Sequence, residues 1–251
     1  MIQGPHLLSV RNLTRRYGGN VAVNDVSFDV MDGEILGVMG ANGAGKTTLF
    51  SMIAGNVKPS SGQILLQGEA IHGKPPEQVN AKGIARTFQI VRPFAGMTVL
   101  ENVAVGVMYG SGRTASPARA RERAAQLLRE MGLGHRAETP ASQLNLAGRK
   151  RLEITRALAT QPRLLLLDEV LAGLNATEVS EALDLIREVQ QRYRLSIVII
   201  EHVMKALMRL SDRIVVLHEG RKVVEGAPTD IVNDPRVIKA YLGERRDASP
   251  A

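Results

Sequence analysis

The run from Gly40 to Thr48, GANGAGKTT, constrains this chain more than any other stretch. It matches the phosphate-binding pattern G-x-x-x-x-G-K-[ST]. A short apolar run at 35–39, typical of a buried strand, precedes it, and residues 47–54 have helical composition. Strand, glycine-rich loop and helix in this order predict backbone N–H groups that surround phosphate oxygens. In such a loop we expect Lys46 to reach the outer phosphates and Thr47 to bind Mg²⁺.

Bulk properties limit the classes of protein that this chain can belong to. It has 251 residues, 44% of them hydrophobic, yet no apolar stretch approaches the roughly 18 residues that a membrane-spanning helix needs. The chain contains no cysteine and begins without a secretory signal, so we expect a cytosolic location. The net charge of +7 fits a nucleic-acid partner, an anionic membrane surface or solvated helix faces. Because only 3% of residues are aromatic, base-stacking sites are scarce, and we expect no nucleic-acid partner.

The first half of the chain reads as a β-unit followed by a helical lobe. Alternating apolar residues predict two antiparallel strands at 7–17 and 21–30, and Tyr17 at the end of the first can stack on adenine. Helical composition at 99–108 and 117–131 predicts the lobe.

The second half predicts a parallel α/β unit. A helix is expected at 150–159, and the apolar strand at 164–167 ends in the acids Asp168 and Glu169. A helix at 177–193 and a strand at 195–200 follow, and this order predicts a parallel crossover. The acids then lie at the edge where open α/β sheets bind ligands.

Five separated features together resemble one family, the nucleotide-binding subunits of ATP-binding cassette (ABC) transporters. They occur in the family's order: Tyr17, the phosphate loop, Gln89, the region 144–151 with the acid pair, and His202. The resemblance extends from Tyr17 to Gly243.

This resemblance implies an α/β fold in which 1–251 form a single ABC ATPase domain. A P-loop NTPase (RecA-like) core with an antiparallel β-subdomain is expected over 1–89 and 162–244. An α-helical subdomain that carries the family's signature is inserted at 90–161, and 245–251 form a polar tail.

The resemblance also assigns ATP and Mg²⁺ as cofactors and gives individual residues their roles. Glu169 is the expected general base, His202 orients the attacking water, and Lys46 and Gln89 complete the catalytic set. Thr47, Gln89 and Asp168 are the expected Mg²⁺ ligands. The residues expected to contact ATP are Tyr17, Gly40, Asn42, Gly43, Ala44, Gly45, Lys46, Thr47, Thr48, Asn145, Ala147 and Gly148.

The signature departs from the family's usual Leu-Ser-Gly-Gly-Gln. Alignment on the following residues gives 144–148, LNLAG, in its place. Asn145 retains a polar amide and the backbone N–H groups survive any side chain, but Leu146 and Ala147 add bulk where glycine allows close approach. In this family the signature of one cassette closes over the nucleotide of a second, so this departure concerns the contact between cassettes.

The stretches 92–102, 172–175 and 240–244 look like the ATPases of branched-chain amino acid importers. The implied protein hydrolyses ATP on the inner face of the membrane, with two transmembrane permease subunits, a second cassette and, indirectly, a solute-binding protein. A lipopolysaccharide-type exporter ATPase, a non-hydrolysing regulatory ATP-binding module and a nucleic-acid-dependent ATPase remain as alternatives.

Overall fold

The computed structural model describes residues 6–88, 93–112 and 114–242. Its strands are β1 (His6–Tyr17), β2 (Asn20–Met31), β3 (Ile35–Met39), β4 (Ser61–Leu66), β5 (Glu69–Ala70), β6 (Ile84–Arg86), β7 (Leu164–Asp168), β8 (Ser196–Ile200), β9 (Arg213–His218) and β10 (Arg221–Gly226). Its helices are α1 (Lys46–Ile53), α2 (Pro76–Ala81), α3 (Val99–Tyr109), α4 (Pro117–Glu130), α5 (Leu146–Ala159), α6 (Ala176–Tyr193), α7 (Met204–Leu210), α8 (Pro228–Asn233) and α9 (Pro235–Leu242). Within these ranges, no helix combines the length and apolar character needed to cross a membrane.

A six-stranded sheet in the order β10-β9-β3-β8-β7-β6 forms the centre of the protein. The strands from β9 to β6 pair in parallel, and β10 joins antiparallel to β9. Every residue of β3, β7 and β8 is buried, which explains their continuous apolar sequences. The carboxyl ends of these strands therefore share one edge, where the phosphate loop follows β3, Asp168 ends β7 and His202 follows β8.

A second, antiparallel sheet has the order β2-β1-β4-β5. It contains the antiparallel pair predicted at 7–17 and 21–30. The N–H of Asn24 on β2 donates to the Gly220 carbonyl in the β9–β10 turn at 2.7 Å. This bond holds the second sheet beside the edge of the first that carries the phosphate loop.

Helices α3, α4 and α5 pack around a separate apolar cluster that includes Val103, Leu127 and Leu152. On α5, however, Ile154 and Leu158 belong to the core beneath β7. One helix thus contributes side chains both to the helical lobe and to the sheet.

The start of α5 differs from the sequence prediction. A helix was expected at 150–159, whereas α5 begins at Leu146. Asn145 is its N-cap: the side-chain Oδ1 accepts the N–H of Gly148 at 2.9 Å. Because this cap supports an extra turn, the residues that differ from the family's usual signature lie in the first turn of the helix rather than in a loop before it.

The buried edge of the sheet also carries an acid that forms no ion pair with any residue that the structure describes. Glu201, directly after β8, is 2% exposed, and its carboxylate accepts the N–H of Leu171 at 2.9 Å. Burial raises the pKa of Glu201 to about 7, although the bond from Leu171 and the charge of Lys150 oppose this shift.

We predict that Glu201 makes the protein less stable at alkaline pH. Its native pKa of about 7 lies above the 4.5 of an exposed glutamate, so its contribution to stability is complete below about pH 4.5 and is lost as the pH rises through 7. Between about pH 5 and pH 8, the free energy of unfolding of the natural chain should fall by on the order of 2 kcal/mol relative to that of Glu201→Gln. Urea unfolding of both proteins measures this difference. Glu188→Gln, at a solvent-exposed glutamate, is the control, and an equal pH response of all three proteins contradicts the prediction.

Candidate functional site

The phosphate loop joins β3 to α1 and has room only for glycine at two positions. A β-carbon on Gly40 would lie 2.5 Å from the Leu217 carbonyl oxygen. Gly45 has a φ of +95°, and its β-carbon would lie 2.4 Å from the Ala22 carbonyl oxygen. The loop is therefore held tightly between β9 and β2. Gly45 also begins α1 without a side-chain cap, so the cap residue leaves the first N–H groups of this helix without a side-chain acceptor.

Lys46 lies inside the loop. Its side chain is buried, and Nζ donates to the carbonyl oxygens of Gly40 at 2.7 Å and Ala41 at 3.0 Å. Burial lowers the pKa of Lys46, and the charges of Glu169 and Asp168 oppose that effect. The ammonium group is thus positioned between the loop and the acidic end of β7.

Asp168 is 1% exposed, and its two carboxylate oxygens have different surroundings. Oδ2 accepts a bond from Nη2 of Arg86 at 2.7 Å. Oδ1 is buried and has no hydrogen-bond partner among the described residues. Arg86 is itself held by Ser51 on α1, to whose Oγ it donates at 3.0 Å. One oxygen is fixed by an arginine and the other is left with acceptor capacity for a cation.

Glu169 follows β7 with a φ of +50°, a conformation that costs a glutamate free energy. Its N–H donates to the Ile200 carbonyl at 3.0 Å, and its own carbonyl accepts Nζ of Lys150 at 3.0 Å. Its Oε1 lies 2.6 Å from Nε2 of His202. Hydrogen bonds therefore hold the backbone N–H and the carbonyl of this strained residue, and its carboxylate is paired with an imidazole.

A cleft of about 760 Å³ lies over the loop. Tyr17, the whole stretch 42–48 and Glu169 line it, as does Glu219 from the β9–β10 turn, which the sequence did not single out. Tyr17 is 46% exposed, and the Arg15 guanidinium lies 4.4 Å from its ring centroid.

The remaining predicted residues lie elsewhere or outside the described ranges. Asn145, Ala147 and Gly148 form the first turn of α5, away from this cleft within the described part of the chain. Gln89 is outside the described residues. Its neighbour Phe88 donates its N–H to Oε1 of Glu153 on α5 at 2.7 Å.

The first turn of α5 is open to solvent. Leu146 is 46% exposed, and its Cδ2 packs against Gly173 so closely that a β-carbon there would lie 2.9 Å away. A β-carbon on Gly148 would come 2.9 Å from the capping oxygen of Asn145, so glycine suits the cap. The side chain of Leu146 thus packs against the loop after β7, and the amino terminus of the helix remains accessible.

Sequence reasoning missed three charged residues around the acids: the partly buried Arg86 and the buried Lys150 and Glu201. The basic opening of the helix at 149–151 was visible in the sequence, but nothing in it distinguished the buried Lys150 from its more accessible neighbours. Their importance comes from tertiary contacts.

A second cavity, which we call the lobe groove, has a volume of about 710 Å³. Its lining includes Asp168 and Thr47 from the nucleotide-site side of the sheet, together with Phe88, Tyr109, Arg156 and further residues of α2, β6, α3 and α5. Phe88 is 52% exposed and Tyr109 is 75% exposed. The groove therefore joins the acidic end of β7 to an exposed aromatic surface.

Comparison with known proteins agrees with this geometry. The family profile described as ABC transporter matches residues 23–172, and one described as branched-chain amino acid ATP-binding cassette transporter matches residues 221–247. The chain is 44% identical to the high-affinity branched-chain amino acid transport ATP-binding protein LivG of Escherichia coli K12, with 95% of this chain and 98% of LivG covered. It is 37% identical to the lipopolysaccharide export system ATP-binding protein LptB of Acidithiobacillus ferridurans, with the same coverage.

Among solved structures, the ABC transporter cassette MJ1267 in its ADP conformation has a TM-score of 0.85 and 28% identity, over 95% of this chain and 99% of that one. This likeness confirms the predicted P-loop NTPase fold. The chain therefore belongs to the ABC transporter family and is one of its ATPase cassettes.

Proposed function

We propose that this chain is the ATP-hydrolysing subunit of an importer for branched-chain or related hydrophobic amino acids. The observation that carries the hydrolytic part is the meeting of the phosphate loop, Asp168 and the Glu169–His202 pair at one sheet edge. The importer part is supported by the similarity to LivG over nearly the whole of both chains and by the profile matched at 221–247.

ATP occupies the cleft over the loop in this proposal. The adenine stacks on Tyr17, and the phosphates accept N–H groups of the loop and of the first turn of α1. Lys46 exchanges its bonds to the Gly40 and Ala41 carbonyls for bonds to the outer phosphates. The ligand set on this chain is Tyr17, Gly40, Asn42, Gly43, Ala44, Gly45, Lys46, Thr47 and Thr48.

The donor set also fits Mg²⁺, which prefers few protein ligands together with phosphate and water oxygens. Thr47, Asp168 and Gln89 would hold the ion. The buried Oδ1 of Asp168, which has no hydrogen-bond partner in the described part of the chain, supports this assignment. Bound there, Mg²⁺ neutralises charge on the phosphates. Arg86 keeps the other oxygen of Asp168 in place.

Hydrolysis then needs a base beside the γ-phosphate. Glu169 accepts a proton from water as the water oxygen bonds to the γ-phosphorus and the bond to the bridging oxygen of ADP breaks. His202, 2.6 Å from Glu169, orients the water and donates to a γ-phosphate oxygen. Lys46 stabilises the charge that develops on the transferred group.

A second cassette completes the site. Asn145, Ala147 and Gly148 of one chain contact the nucleotide of the other, and the accessible amide end of α5 supports this arrangement. The side chain of Leu146 does not obstruct this approach, because it is directed toward Gly173.

Two transmembrane permease subunits are the proposed partners of the lobe groove, one for each cassette. Exposed aromatic rings beside buried apolar residues are typical of protein-binding surfaces. Because the groove also reaches Asp168 and Thr47, a permease segment bound there senses the nucleotide site. The cassettes then lie on the cytoplasmic face of the membrane, and a solute-binding protein acts only through the permeases.

We predict that Glu169→Gln abolishes steady-state ATP hydrolysis by the purified chain while ATP-dependent dimerisation persists. The amide keeps the shape and the contact with His202 but cannot accept the proton. Hydrolysis and light scattering in the same samples measure both properties. Glu188→Gln is the matched control, and undiminished hydrolysis by Glu169→Gln refutes the mechanism. Absence of both properties from the natural chain instead supports a regulatory module.

We also predict that Tyr109→Ser separates transport from hydrolysis. In cells that depend on this chain, the fold-loss of labelled leucine uptake should be at least ten times the fold-loss of ATP hydrolysis by the purified variant. The reason is that the substitution removes an exposed ring from the lobe groove. Ile238→Ser, which removes an exposed apolar side chain on α9, should leave uptake intact. Normal uptake in cells without the chain, together with failed delivery of lipopolysaccharide, would support the exporter alternative.

A further inference from the structure

Helix α5 connects two places that belong to different nucleotide sites in the proposed dimer. Its first turn, capped by Asn145, faces the nucleotide of the partner. Five residues later Lys150 is 6% exposed, and its Nζ donates to the backbone carbonyl of Glu169 at 3.0 Å. At 1.5 Å per residue, the two positions are about 7.5 Å apart along the helix axis.

The buried Lys150 bonds to the backbone carbonyl of a residue in a strained conformation. Glu169 has left the β7 ladder, and its φ of +50° needs contacts that hold it. The N–H of Ala172 also donates to this carbonyl, at 3.3 Å, which is longer than the 3.0 Å bond from the ammonium group. Because charge-assisted bonds are the stronger kind, the bond from Lys150 restrains this carbonyl more than the bond from Ala172 does.

The surroundings of Lys150 suggest a simpler role that has to be separated from this one. Burial lowers the pKa of Lys150, while the charges of Glu201, Glu153 and Glu169 favour its charged form. Lys150 therefore also balances the buried charge of Glu201. A variant at Lys150 alone would alter both the Glu169 peptide and this charge balance.

We propose that Lys150 is a positioning residue: its bond to the Glu169 carbonyl fixes the position of the Glu169 carboxylate. Through the same bond, the position of the α5 amino terminus determines that of the carboxylate. When the first turn of α5 binds the partner's nucleotide, Lys150 moves with the rigid helix. Its bond then aligns the backbone of Glu169 in the same chain. Each site then becomes competent when the other is filled. This inference rests on the proposed roles of Glu169 and of the signature turn.

The test uses Glu201→Gln as the reference protein, because the amide removes the buried charge that Lys150 balances. In that background we expect Lys150→Met to lower kcat at least tenfold with KM changed less than about twofold, since the ATP cleft itself is untouched. Lys150→Arg, which keeps a cationic donor, should restore most of the rate. Thermal unfolding checks that each protein is folded, and Lys150→Gln replaces Lys150→Met if the latter does not fold.

A double-mutant cycle with Asn145→Ala tests transmission. Because both residues act along one helix, their losses in kcat at saturating ATP should not multiply, and the double variant should fall within about twofold of the worse single variant.

Three results would overturn the proposal. They are a normal kcat for Lys150→Met in the reference background, equal rates for the Met and Arg variants, and losses that multiply with Asn145→Ala. The first means that Lys150 only balances Glu201. Glu169→Gln, measured alongside, separates these outcomes from failure of the proposed function: if it still hydrolyses ATP, the assignment of Glu169 is wrong and not merely that of Lys150.

Discussion

Parallel pairing of β3, β8 and β7 is the constraint on which the rest of the structure depends. The register sets Val38 and Asp168 opposite the same residue, Ile200, so three distant segments end at one level of the sheet. The loop after β3 is closed by glycines against the neighbouring backbone, and the acids after β7 come to lie beside it. Because each strand is buried along its whole length, a slip in register would expose or bury charges in the wrong place. The chemistry of the site is a consequence of this alignment.

The same edge accumulates buried charge, and its balance explains several contacts. The charge of Asp168 is neutralised by Arg86, and Lys46 lies near Asp168 and Glu169. The positive charge of Lys150 partly compensates the charge of Glu201. Burying a charge is costly unless a partner compensates it. Two of these groups keep an electrostatic cost: Oδ1 of Asp168 has no hydrogen-bond partner among the described residues, and burial raises the pKa of Glu201 to about 7. Residual electrostatic cost at a sheet edge is consistent with a site built to receive a polyanion and a cation.

The sequence predicted the parts of the site that come from contiguous residues. The phosphate loop follows from its glycine spacing, and the buried strands follow from apolar runs that end in acids. The predicted start of α5 was four residues too late. The N-cap at Asn145 stabilises an additional turn despite the poor helix propensity of Gly148. Arg86 and Lys150 could not be assigned, since their roles depend on what β7 and α5 bring to them. The positive φ of Glu169 has no sequence signal at all.

In the proposed mechanism, α5 links a composite nucleotide site to Glu169, the expected general base. The most direct measurement is a structure of Glu169→Gln with ATP and Mg²⁺. We expect a head-to-tail dimer in which Asn145 and Gly148 of one chain contact the γ-phosphate bound to its partner, while Lys150 keeps its bond to the carbonyl of residue 169. A nucleotide-bound monomer, or a dimer in which the α5 amino terminus remains in solvent, would contradict it.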